Sequence, residues 1–181
     1  MTATLAPDLA RDFLLASRTH LAGEYLPKIR HCLGKLSEED LWWRPNPESN
    51  SVGNLILHLC GNAEQWIVHG VCGQPDQRDR DGEFAATDGM SLGEMRVHLD
   101  RSIEKVDAAL MSVEAHASGH PALMFEERTI QGMQVTVLRA IYHVVEHFSQ
   151  HTGQIMWITK ARTGADLHFW VVEEGRAQPN W

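Results

Sequence analysis

The chain has 181 residues, 43% of them hydrophobic and 22% charged, which excludes disorder along its whole length and suits one domain with a substantial core. Its formal net charge is -8, with acids and bases interspersed and no Lys/Arg block, so no nucleic-acid partner is expected: phosphate binding needs a concentrated basic footprint. Cys32, Cys60 and Cys72 make no CxxC and no even framework, no run is long and apolar enough to span a membrane, and no signal peptide is apparent, so the expected address is cytoplasmic, with no membrane partner.

Apolar residues at Leu9, Phe13, Leu14, Leu21, Tyr25, Leu26, Ile29 and Leu33 recur at helical steps and predict a first helix over about 7–36. Pro27 lies inside it, so a kink or break is expected there. Ser37 with Asp40 three positions on marks a short helical turn over 37–43, and Pro45 and Pro47 then impose an extended passage. A second helix, from near Ser51 to about His69, is apolar on most sides and therefore central. Residues 70–90 are rich in Gly, Asp and Arg and read as a long loop, of the kind that is often a functional lid or partly disordered. Ser91 followed by Glu94 is a capping box that opens a third helix to about Val113. Residues 114–132 are irregular, with a small hairpin around Gly132. A fourth helix runs from about Thr136 to Arg162 and is closed by Gly164. The expected fold is all-α: an up-down four-helix bundle with one short extra helical turn, in a single domain over 1–181 whose core spans about 7–164. The tail, 165–181, is aromatic and irregular, placed to cap the bundle or to reach a neighbouring subunit.

The fourth helix contains HVVEHFSQH, which sets His143, His147 and His151 at steps of four on one face, roughly 6 Å apart at Cβ. Two imidazoles at that spacing can converge on one ion. His143 and His151 are two turns apart, about 12 Å along the axis, so all three cannot share it. Gly153, which permits close helix approach, and Gln154, which returns to the histidine face, favour the His147/His151 pair. The third ligand is His58, on the most apolar helix, where a histidine without a partner is costly. Asn54 and Asn62, four residues either side of it, are placed to orient ligands. A single histidine on an apolar helix is more often a hydrogen-bonded core residue, and i,i+4 pairs arise by chance, so the three carry weight only as a set. His143 is expected beside the set or at the surface. Cys60 points to a different helix face from His58 and reads as core; Cys72 has no visible activating partner.

Two segments, LSEEDLWWRPNPESNSVGNLILHL and HVVEHFSQHTGQI, with His58 about ninety residues before the histidine pair, resemble the DinB/YfiT-like four-helix metalloproteins from about Leu9 to Arg162. The resemblance implies a metal held by three imidazoles near one end of the bundle. His58 matches the ligand of the second helix, His147 and His151 those of the last, and His143 is not carried over. Three neutral imidazoles suit zinc, the first choice, and also nickel, copper or iron(II). Three protein ligands leave positions open, as in catalytic rather than structural zinc sites. The resemblance further implies transfer of a small-molecule thiol onto an electrophile, and a homodimer, for which Trp42, Trp43, Trp157 and Trp170 supply apolar area. No catalytic residue is assigned: Glu146 points about 100° from His147 around the helix and reads as solvated. The competing expectations are a metal-dependent hydrolase and a non-catalytic metal-binding or stress-related protein.

Overall fold

In the computed structural model, which describes residues 5–181, the first apolar stripe forms α1 (Leu5–His20), a π-helical stretch (Leu21–Tyr25) and α2 (Leu26–Leu33). The expected break at Pro27 is a widening instead. Pro27 has no N–H for the Gly23 carbonyl four residues back. The wider turn carries the helix past that gap, and the Trp181 indole N–H donates to the Gly23 carbonyl at 3.3 Å.

Capping boxes start the next two helices: Ser37 with Asp40 at α3 (Glu38–Trp42), and Ser51 with Asn54 at α4 (Val52–Ala63), which runs on as a π-helix over Glu64–Val71. The polar stretch after it is not irregular throughout, as the sequence suggested. Asp79 caps a short helix, α5 (Arg80–Ala85), by accepting from the Gly82 N–H. Asn54 ties this helix down: its amide donates to the carbonyls of Glu83 at 2.9 Å and Ala86 at 2.7 Å. A segment read as a free loop is thus pinned to the most buried helix.

The Ser91–Glu94 box opens α6 (Leu92–Gly119), which passes the expected end at Val113 because helix-favouring Glu114, Ala115 and Ala117 follow. Gly119 and Pro121 stop it, and a 3-10 turn (Pro121–Phe125) leads on. The hairpin expected around Gly132 is present as β1 (Glu127–Ile130) and β2 (Met133–Thr136), turning through Gln131 and Gly132 with φ of 52° and 77°. Thr136 caps α7 (Val137–Thr163), and Gly164 closes it in the left-handed conformation. The tail is the main correction. It is not irregular but folds into β3 (Trp170–Glu173) and β4 (Arg176–Pro179), and Trp181 beyond it rests against Lys28 and Trp170 of the same chain.

The described chain is thus mostly helical, with two small two-stranded sheets. α1 packs on α6, α2 on α7, and α4 on both α6 and α7. Leu14, Ile29, Ile56, Leu59, Leu99 and Phe148 are fully buried along these contacts. Each such side chain contributes about 1.5–3 kcal/mol, against about 0–1 kcal/mol for a part-exposed pair such as Arg18–Asp107. The apolar stripes therefore decide which helix faces meet, and the contact of α4 with α7 brings His58 opposite His147. Among the described residues, no helix is long and apolar enough to cross a membrane.

Candidate metal centre

His147 Nε2 lies 3.1 Å from His58 Nε2 and 3.2 Å from His151 Nε2, and the three nitrogens fall within 4.8 Å of one another. The structure therefore brings together the three histidines singled out from the sequence. His143 stands outside the set. Its ring centre is 5.3 Å from that of His147, its Nε2 pairs with Asn62 Nδ2 at 3.2 Å, and its ring lies against Trp66.

Two acceptors orient the convergent rings. His58 Nδ1 donates to Glu83 Oε2 at 3.0 Å, and His151 Nδ1 donates to Gln154 Oε1 at 2.6 Å. With those protons on Nδ1, both rings turn Nε2 lone pairs toward His147. His147 Nε2 carries at most one proton, so hydrogen bonding satisfies at most one of its two close contacts. A shared cation satisfies all three nitrogens. Nitrogens about 2.0–2.1 Å from one tetrahedral zinc are about 3.3 Å apart, close to the separations from His147. The donor set and its spacing fit a divalent metal, and the acceptor behind each outer ring is the usual support of a ligand histidine.

Burial, and then the neighbouring His151 and His58, push His147 from the ordinary histidine value of 6.5 down to about 3. Burial also lowers His151 and His143. Such lowering favours the neutral form that His147 and His151 need as metal ligands. The stability consequence has a definite sign. As pH falls below about 6.5 the unfolded chain takes up a proton at His147 that the folded chain refuses, so stability is complete above that value and lost below it. The thermal midpoint of metal-free protein is expected to drop between about pH 7 and pH 5, and to drop less in His147→Asn. Equal drops in the two proteins would show that His147 is not held neutral by the fold.

Glu83 does more than meet His58. Arg78 Nε and Nη2 donate to its two oxygens at 2.7 Å and 2.8 Å, a two-pronged pair whose side chains are only 3% and 8% exposed. Arg78 Nη2 also lies 3.1 Å from His58 Nδ1, but a nitrogen that is donating to Glu83 cannot accept, so the carboxylate is the shared partner. Burial alone would raise the Glu83 carboxyl; the hydrogen bonds from Arg78 and His58 outweigh it and hold it below the usual carboxylate range. Gly61 of α4 makes room for this group, since a methyl there would fall on Glu83 Oε1 and 3.1 Å from Arg78 Nε.

His58 and His147 open onto a cleft of about 590 Å³ walled by Trp66, Met133, Val135 and Tyr142, with exposed Arg80, Arg139 and Glu146 around it. Sequence reasoning missed Arg78 and Glu83. The available signal was Asp79, a cap residue that places Glu83 on a short helix. Among the described residues, Asn54 makes no hydrogen bond to a ligand ring; it acts on the centre by holding the Glu83 carbonyl. Asn62 pairs with His143 rather than with a ligand. The cysteines are free, and burial pushes the Cys60 thiol up to about 12 while Ser102 only partly offsets it, so this thiol is inert.

A family model described as mycothiol-S-transferase matches residues 20–162, a span that contains His58, Arg78, Glu83, His147 and His151. Neither the curated proteins nor the solved structures yield a match.

Proposed function

Since the chain belongs to the mycothiol-S-transferase family, within the DinB/YfiT-like superfamily, we propose that it is a metal-dependent transferase that joins a low-molecular-weight thiol, mycothiol by the family's name, to a small electrophile. The observation that carries this reading is the convergence of three imidazoles, two of which, His58 and His147, line an open cleft. His58, His147 and His151 would hold a divalent ion, zinc by first choice with nickel, copper or iron(II) as alternatives, whose positive charge would stabilise a thiol as its thiolate.

The chain's own groups do the rest. Glu83 and Gln154 hold two imidazoles with their lone pairs inward, and burial keeps His147 uncharged. Trp66, Met133, Val135 and Tyr142 offer an apolar wall on which the body of an electrophile can lie, displacing water. In the transfer, the S–H bond is exchanged for an S–C bond. The proton passes to solvent through the open cleft, and the leaving group departs with the electron pair of the bond it breaks.

The same proposal reads the helical core as an up-down four-helix bundle built from α1 with α2, α4 with its π-helical extension, α6 and α7. It also places the protein in the cytoplasm as a homodimer, supported by the free cysteines and by exposed Trp157 and Trp170. A monomer by light scattering at micromolar concentration would remove the dimer.

The test is metal content by mass spectrometry on untagged protein, followed by transfer of mycothiol to 1-chloro-2,4-dinitrobenzene. About one ion per chain is expected, with turnover lost on chelation and restored by zinc. A cobalt-substituted protein is expected to change its spectrum when mycothiol is added. No metal uptake, or a cobalt spectrum indifferent to thiol, would overturn the transferase reading.

A further inference from the structure

We propose that the cleft selects electrophiles carrying a carboxylate on an apolar or aromatic body, with Arg80 and Arg139 binding the carboxylate; this rests on the transferase reading above. Three guanidinium groups line the cleft, and they are not equivalent. Arg78 is fully matched to Glu83. Among the described residues, neither Arg80 nor Arg139 has a carboxylate within ion-pairing distance, so of the three only Arg78 is neutralised by a partner. Both unmatched groups open into the same space as His58 and His147.

Their placement is specific. Arg80 opens α5, and its guanidinium lies over the Phe84 ring at 5.0 Å, while that ring is 4.6 Å from the His58 ring. Arg80 is therefore held against the wall that carries a ligand histidine. Arg139 precedes His143 by four residues and His147 by eight, so all three share one face of α7, with Arg139 about 12 Å from His147 along the axis. An electrophile whose body lies on Trp66 and Tyr142, with its reacting carbon toward His58 and His147, can thus turn an anionic group toward the two guanidinium groups that line the same cleft. The guanidinium fork matches a carboxylate with two parallel hydrogen bonds. Glu146 is the opposing charge in the cleft, exposed and without an ion-pair partner among the described residues. Two free guanidiniums against one carboxylate leave the cleft cationic on a chain of net charge -8, a local reversal that draws anions in.

The experiment compares two chloroarenes with zinc-loaded protein and mycothiol: neutral 1-chloro-2,4-dinitrobenzene and anionic 4-chloro-3,5-dinitrobenzoate. In both, a C–S bond forms, the C–Cl bond breaks, chloride leaves and the thiol proton goes to solvent. Each kcat/KM is divided by the uncatalysed rate constant of the same pair. The anionic reagent is expected to be favoured at least tenfold, and this ratio to fall at least tenfold in the Arg80→Gln/Arg139→Gln double variant. Lysine at both positions should restore part of the ratio, and Glu146→Gln should raise it. Calorimetric titration with unreactive 3,5-dinitrobenzoate reads the same site without turnover. It is expected to bind once per chain, with affinity lowered at least tenfold by the double variant and weakened by salt. A normalised ratio near one in wild type, or equal binding of 3,5-dinitrobenzoate and 1,3-dinitrobenzene, would overturn the proposal. Should neither chloroarene turn over, the transferase reading falls, and the titration alone decides whether the arginines form a carboxylate site.

Discussion

Replacing His147 by alanine is expected to leave a folded protein that holds no metal and transfers mycothiol at least about a thousandfold more slowly. His147 is the hub of the centre: its Nε2 is the atom that approaches both His58 and His151. Without it, two imidazoles on different helices remain, and a two-nitrogen site cannot compete for a divalent ion at ordinary concentrations. Losing about 4 kcal/mol of thiolate stabilisation corresponds to about a thousandfold in rate. The stability effect has the opposite sign in the absence of metal. At least one of the two close contacts of His147 Nε2 goes without a hydrogen bond, and its Nδ1 is buried and unpartnered, which burdens the metal-free fold. Alanine relieves that burden, so metal-free His147→Ala should melt no lower than metal-free wild type, while added zinc should raise the midpoint of wild type alone. His58→Ala is a harsher variant, because it removes the donor that Glu83 faces. About one ion per chain retained in His147→Ala, by mass spectrometry, would sink the three-histidine site.

What could be read in advance follows the range of the interactions involved. The steps of four from His143 to His151 are a property of one helix, and the cost of His58 on an apolar helix is a property of another, so both were visible in the chain. The pairing of Arg78 with Glu83, and of Glu83 with His58 across 25 positions, was not. It depends on a short helix pinned by Asn54, in a segment with no apolar period. Pro27 announced a disturbance in the first helix, yet its outcome depends on Trp181, a residue 158 positions away from the carbonyl it caps. The third helix outruns its apolar stripe, which thins after Val113, because helix-favouring residues, the burial of Ala117 and the pairing of Glu114 with Arg18 carry it to Gly119. The tail hairpin escaped because its turn is Glu174–Gly175, with φ of 50° and 77°. Glutamate seldom takes that conformation, so it does not advertise a turn as asparagine does.

Gly61→Ala pits two known magnitudes against each other, and the expected outcome is a less stable protein with zinc bound about 10–100-fold more weakly. Gly61 sits inside α4, where alanine is ordinarily the better residue by about 1 kcal/mol. If the groups above it were slack, the substitution would stabilise. They are not slack. The new methyl would occupy the place of Glu83 Oε1 and press on Arg78 Nε, so the carboxylate has to leave a buried pair. Breaking such a pair costs about 3–5 kcal/mol, well beyond the helix gain. The same displacement frees the His58 ring to rotate, and loss of the acceptor behind a ligand histidine typically weakens metal binding about 10–100-fold. Glu83→Gln separates the two effects. Its amide oxygen can still accept from His58 Nδ1, but Arg78 loses the charge it faces. This variant should therefore lose stability comparably while its zinc affinity falls less than in Gly61→Ala. Zinc competition against a chelator, read beside thermal melts of the metal-free proteins, measures both quantities. A Gly61→Ala protein that melts higher and binds zinc as tightly as wild type would show that Glu83 neither packs against α4 nor holds His58 in place.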